Sequence, residues 1–132
     1  MPPLSGFRPA RFPFFPSLIE QKERADMAWL ILGIAVITEI IWALSLKWAA
    51  TVGHWQASLV PITLSFVNMG LLALAMRGLP AGTAYAIWTG LGAVGVIIGG
   101  VILFGDKVTP VQAAFMALTV IGVVGTKLFA SA

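Results

Sequence analysis

Four stretches of about 20 residues, each nearly free of charge, succeed one another along the chain with only short polar breaks. They run from about 27 to 48, 57 to 76, 83 to 104 and 111 to 129. A helix of that length reaches roughly 30 Å, the thickness of a bilayer's hydrocarbon core. In lipid every backbone N–H and C=O must find its partner within the protein, and a helix satisfies them segment by segment. The breaks carry helix-ending residues: Gly53 beside His54, then Arg77-Gly78-Leu79-Pro80, then Gly105-Asp106-Lys107-Val108-Thr109-Pro110. Pro110 suits the first turn of a helix beginning there. The fold class expected is all-α integral membrane, with four transmembrane helices per subunit and almost no extramembrane domain.

Composition excludes most other classes. Only 10% of the 132 residues are charged, against about 25% in soluble domains. With 59% hydrophobic residues and a mean hydropathy of +0.97, too few charges remain to cover a water-facing surface. The absence of cysteine removes disulfides and thiolate metal sites. The single His54 and five scattered acids form no metal-ligand pattern, and no nucleophile–base pair or phosphate loop points to an enzyme or a cofactor. The basic pI of about 9.8 does not signal nucleic acid. Half of the eight basic residues lie before position 25, and the rest are spread singly between apolar segments.

Residues 1–26 differ from the remainder of the chain, holding five of the eight prolines and seven charged residues. Their apolar runs are too short to span or to form a signal-peptide core. Phe12, Phe14 and Phe15 beside Arg8 and Arg11 could rest on a membrane surface. The simpler expectation is a flexible extension, or an upstream segment before a natural start at Met27, preceding a transmembrane domain over 27–132. Counted from Met27, four spans put Arg77 and Lys127 on one side and Lys47 and Lys107 on the other. That balance sets no orientation under the positive-inside rule and permits antiparallel pairing of two copies. The extension would tip the tally to the amino-terminal side; the unbiased core is the preferred reading.

Glu39 lies mid-way along the first segment, where a charge costs on the order of 3 kcal/mol. An intramembrane carboxylate marks a functional site by default. Trp42, one turn beyond it, can donate its indole N–H or face a cation with its ring, or can simply pack against lipid. In the second segment Ser65 and Asn68 are candidate partners for the carboxylate, unless each bonds its own helix backbone. In the third, Tyr85 and Trp88 share a face that Gly92 continues, while Gly90 and Gly92 serve as hinges or as close-packing positions. Trp29, Trp48 and Trp55 fall near segment ends, as interfacial aromatics do.

The pair Glu39-x-x-Trp42, the run Leu79-Pro80-Ala81-Gly82-Thr83-Ala84-Tyr85-Ala86-Ile87-Trp88-Thr89-Gly90-Leu91-Gly92-Ala93-Val94-Gly95, and Gly125-Thr126-Lys127-Leu128 resemble the small multidrug resistance family. The likeness extends from Met27 to Ala132 and is greater to the guanidinium-exporter branch than to the exporters of polyaromatic drugs. It implies an antiparallel, dual-topology dimer in the cell inner membrane, a homodimer or else a heterodimer, with the fourth helix as the contact. It also implies proton-coupled antiport of a guanidinium-type cation by alternating access. By the same resemblance Glu39 binds proton or substrate, Trp42 and Trp88 wall the pocket, and Tyr85 orients a carboxylate. The alternatives are a quaternary-ammonium exporter of the same family and a membrane assembly subunit that transports nothing. Two positions depart from the family pattern: Val36 stands where the branch usually has glycine, and Asn68 where serine is expected. Asn68 can donate to a carboxylate as serine does, but it is larger and has an acceptor of its own.

Overall fold

A computed structural model describes residues 17–130. Four α-helices make up the fold: α1 (Leu18–Val52), α2 (Leu59–Ala75), α3 (Ala81–Phe104) and α4 (Pro110–Leu128). A single 3-10 turn, Trp55–Ser58, leads into α2. No strand occurs among the described residues. All four helices are long and apolar enough to cross a membrane once that turn is counted with α2.

The helix ends obey local chemistry. Ser17 caps α1 in a reciprocal box: its hydroxyl accepts the Glu20 N–H at 3.3 Å, and the Glu20 carboxylate accepts the Ser17 N–H at 2.8 Å. The carbonyls at the far end of α1 meet Gly53, whose φ of 75° lets its N–H turn back to Ala49. Gly105 ends α3 in the same left-handed conformation, and the Asp106 N–H returns to the Gly100 carbonyl. Thr109 caps α4 by accepting the Gln112 N–H at 3.2 Å, with Pro110 in the first turn.

Two expected boundaries move. The first helix starts at Leu18, not near Met27, so 18–26 is helical and continuous with the span. Its charged residues, Glu20 to Asp26, are exposed, as a helix leaving the apolar layer allows. What was expected of residues 1–16 lies outside the described residues. At the other end α1 continues past Trp48 to Val52, taking in the first half of the anticipated break at 49–56.

Helix α1 lies between α2 and α3, while α4 packs on α3. Small residues make this possible: Ala28, Ala35, Ala75 and Ala84 are all buried in one core with Leu32, Leu72 and Trp88. Along α3, successive glycines receive α1 side chains. Gly92 lies against Glu39, Gly95 against Ile40, and Gly99 against Leu44. Without a hydrophobic driving force between helices in lipid, this close van der Waals fit is what holds them together. The two ends of the bundle are marked by lysines. At one end Lys47 pairs with Asp106 at 2.5 Å and lies 4.8 Å from the centre of the Phe104 ring. At the other, Lys127 sits 5.2 Å over the Trp29 ring. Lys47 and the α3–α4 turn therefore share a side, as the spans require.

Gly95→Leu is expected to destabilise the fold by about 1–3 kcal/mol, because the new side chain must displace Ile40. Gly70→Ala, with open space where its Cβ would sit, should not. Thermal denaturation of both variants in one detergent measures the difference.

Candidate functional site

Helix α1 turns Glu39 toward both of its neighbours, and the carboxylate is half-buried. From α2, the Asn68 amide nitrogen donates a short hydrogen bond to Glu39 Oε2. From α3, Gly92 backs the side chain so closely that a Cβ there would come within 2.9 Å of Glu39 Cγ. No basic side chain pairs with Glu39 among the described residues; the one ion pair is Lys47–Asp106 at the end of the bundle. Glu39 is thus an intramembrane carboxylate held by a neutral donor, with no basic partner among the described residues.

The expected neighbours divide into three groups. Asn68 is brought to the carboxylate and is 1% exposed. Trp42 lies one turn away, but its indole N–H goes to Ser65 Oγ at 2.6 Å, and the Ser65 hydroxyl donates in turn to the Pro61 carbonyl at 2.8 Å. Ser65, a candidate partner for Glu39, instead fixes the Trp42 ring. The spacing of Ser65 and Asn68 puts both on one face of α2, and only the crossing with α1 decides which meets which residue.

Trp88 is buried in the core at 5% exposure, and its Nε1 has no hydrogen-bond partner. Tyr85 is 54% exposed, and its ring meets that of Trp88 with centroids 5.6 Å apart. The ring contact found for Tyr85 is with Trp88, not with the carboxylate. Of the two glycines singled out, Gly92 faces Glu39, whereas Gly90 faces Val123 of α4 at 2.7 Å from where its Cβ would stand. Both occupy unbroken helix and mark close packing. Val36 is buried in the core and lines a cavity of about 420 Å³ beneath α4, with Ile87, Leu91 and Val123.

The sequence model of a family described as Small Multidrug Resistance protein matches residues 27–121. The chain belongs to the Small Multidrug Resistance family. Among its relatives is the guanidinium exporter of Escherichia coli strain K12, 46% identical over 102 residues that cover 77% of this chain and 97% of the relative. The guanidinium exporter of Proteus vulgaris is also 46% identical, over 77% of this chain and 98% of its own. That of Citrobacter freundii is 41% identical, over 77% and 97%. Small Multidrug Resistance proteins are multi-pass membrane transporters rather than enzymes, in keeping with four apolar spans and one intramembrane acid. The match begins at Met27, inside α1, so the charged turns from Leu18 to Asp26 lie outside it.

Trp42→Phe is expected to cost about 0.5–1.5 kcal/mol of stability by leaving Ser65 without its donor. In a double-mutant cycle measured by thermal denaturation, Ser65→Ala should add little once Trp42 is phenylalanine.

Proposed function

We propose that this protein is a proton-coupled antiporter that exports guanidinium or small guanidinyl cations across the inner membrane by alternating access, with Glu39 as the shared site. The observation that carries the reading is a half-buried carboxylate, mid-way through α1, that has a hydrogen-bond donor but no basic partner among the described residues. A lone charge at that depth calls for either a proton or a cation. The names of relatives that match nearly end to end favour guanidinium as the cation.

The chemistry of the site supports the same choice. Guanidinium is planar, and two of its N–H groups can meet the two oxygens of one carboxylate in parallel. Aromatic faces nearby, Trp42 and Trp88, can flank such a plane. Proton and cation compete for one carboxyl group. If the charged, empty site reorients rarely, each proton moving inward must be exchanged for a cation moving outward. A second copy in antiparallel orientation would present the opposite opening of the same site. Helix α4 is suited to the contact: 6% of its span is buried within the subunit, against 22% for each of the other three.

Currents from proteoliposomes on a supported membrane test the proposal. Guanidinium should drive a current in the wild type that falls to baseline in Glu39→Gln, while a tetraalkylammonium ion drives little. Current from the bulkier ion alone would transfer the protein to the drug exporters. Retained proton-coupled transport in Glu39→Gln would overturn the role given to the carboxylate. Loss of folding in that variant, in place of a folded and silent protein, would assign Glu39 to helix assembly.

A further inference from the structure

Two arginines meet at the amino-terminal end of α1. Arg24, from the first turns of that helix, and Arg77, from the turn between α2 and α3, line one cavity of about 250 Å³. Its apolar wall includes Met27, Ile31 and Leu74. The turn is pressed against the helix here: a Cβ on Gly78 would stand 2.6 Å from Ala28 Cβ and 2.9 Å from the Arg24 carbonyl oxygen. Packing therefore fixes the backbone under the rim, although both arginine side chains are exposed. Two lysines at the bundle ends have partners within the fold, Lys47 in Asp106 and Lys127 in the Trp29 ring. Neither guanidinium of Arg24 and Arg77 has an ion pair or hydrogen bond among the described residues. Glu20, one turn before Arg24 on the same face, is engaged with the Ser17 N–H instead.

Depth says what the two charges face. Glu39 lies mid-way through the span, and Arg24 precedes it by 15 residues, about 22 Å along the helix. Half a bilayer is about 15 Å of hydrocarbon, or about 20–22 Å with its headgroups, so Arg24 stands at headgroup level. Ile31 and Leu74 lie on the membrane side of the arginines, further along α1 and earlier in α2. A cationic outer rim above an apolar inner wall matches one occupant, a lipid whose phosphate sits above its acyl chains. We propose that Arg24 and Arg77 form a binding site for an anionic phospholipid. Its phosphodiester lies between the two guanidinium groups, and an acyl chain follows Met27, Ile31 and Leu74 inward. Guanidinium suits the task because its planar fork meets phosphate oxygens through parallel N–H bonds. A zwitterionic lipid brings its own ammonium to the rim, where two uncompensated cations oppose it. A free phosphate ion would use the rim and leave the apolar wall idle. Arg24 lies before the segment matched by the family, from Met27 onward, so the site depends on the added turns of α1. A lipid held there ties the outer end of α1 to the α2–α3 turn. It does so far from Glu39, and the site stands whether or not that carboxylate carries cations.

Native mass spectrometry of the full chain, purified in a neutral detergent, tests the site. The probes are dioleoylphosphatidylglycerol and dioleoylphosphatidylethanolamine, which differ only in the headgroup. The wild type should bind the glycerol lipid about ten-fold more tightly than the ethanolamine lipid. Arg24→Gln and Arg77→Gln should each raise the Kd for the glycerol lipid about ten-fold, the size of one lost hydrogen bond to a charged group. Lys22→Gln removes the same charge outside the cavity, and should change that Kd less than about two-fold. Equal weakening by Lys22→Gln would reduce the effect to general attraction and overturn the proposal. Equal binding of the two lipids, or no change in either arginine variant, would overturn it as well. Inorganic phosphate, added at the concentration of lipid that saturates the protein, should displace none of it. Displacement would mark a site for the free anion, and the lipid assignment falls. Both arginines are exposed, so the variants should keep the wild-type melting temperature. If Arg77→Gln does not fold, Arg24→Gln compared with Lys22→Gln decides.

Discussion

The fit of α1 side chains into the glycines of α3 decides where everything else lies. Glu39, Ile40 and Leu44 enter spaces that would close if Gly92, Gly95 or Gly99 carried a Cβ. Helix α2 packs along α1 as well and delivers Asn68 and Ser65. The Glu39 side chain is therefore met from two helices by contacts of different kinds. One is steric and comes from a missing side chain; the other is a hydrogen bond from a neutral amide. Neither of them brings a positive charge to Glu39.

Hydropathy and turn residues made the number and length of the spans readable, because in lipid those two properties are nearly the whole of the folding problem. Pro80, Gly105 and Pro110 mark real helix ends for reasons visible in the residues themselves. The start of α1 was harder. Its capping box, Ser17-x-x-Glu20, is present in the sequence, yet the charged turns beyond it contribute nothing to an apolar segment. A helix that leaves the bilayer must be recognised by its cap, not by its hydropathy.

At the site, residue type and depth were enough to single out Glu39, and helical spacing placed Trp42 beside it. The bond from Asn68 to Glu39 was among the candidates, but which of Ser65 and Asn68 would make it was not legible. Ser65 and Asn68 are one turn apart on α2 and chemically similar as donors, and the crossing angle alone gives the first to Trp42 and the second to Glu39. The same holds on α3, where Gly90 and Gly92 point to different helices although they are two residues apart in one motif. Spacing assigns a face; the partner across that face comes from the tertiary arrangement.

Helix α1 is 35 residues, or about 52 Å, against a hydrocarbon layer of about 30 Å. Its surplus length stands largely at the amino-terminal end, where the capped and charged turns continue the axis of the segment that carries Glu39. An overhang of this kind is a lever arm. Because the helix is unbroken from Leu18 to Val52, a tilt of the segment that carries Glu39 would displace the outer end farther than the segment itself.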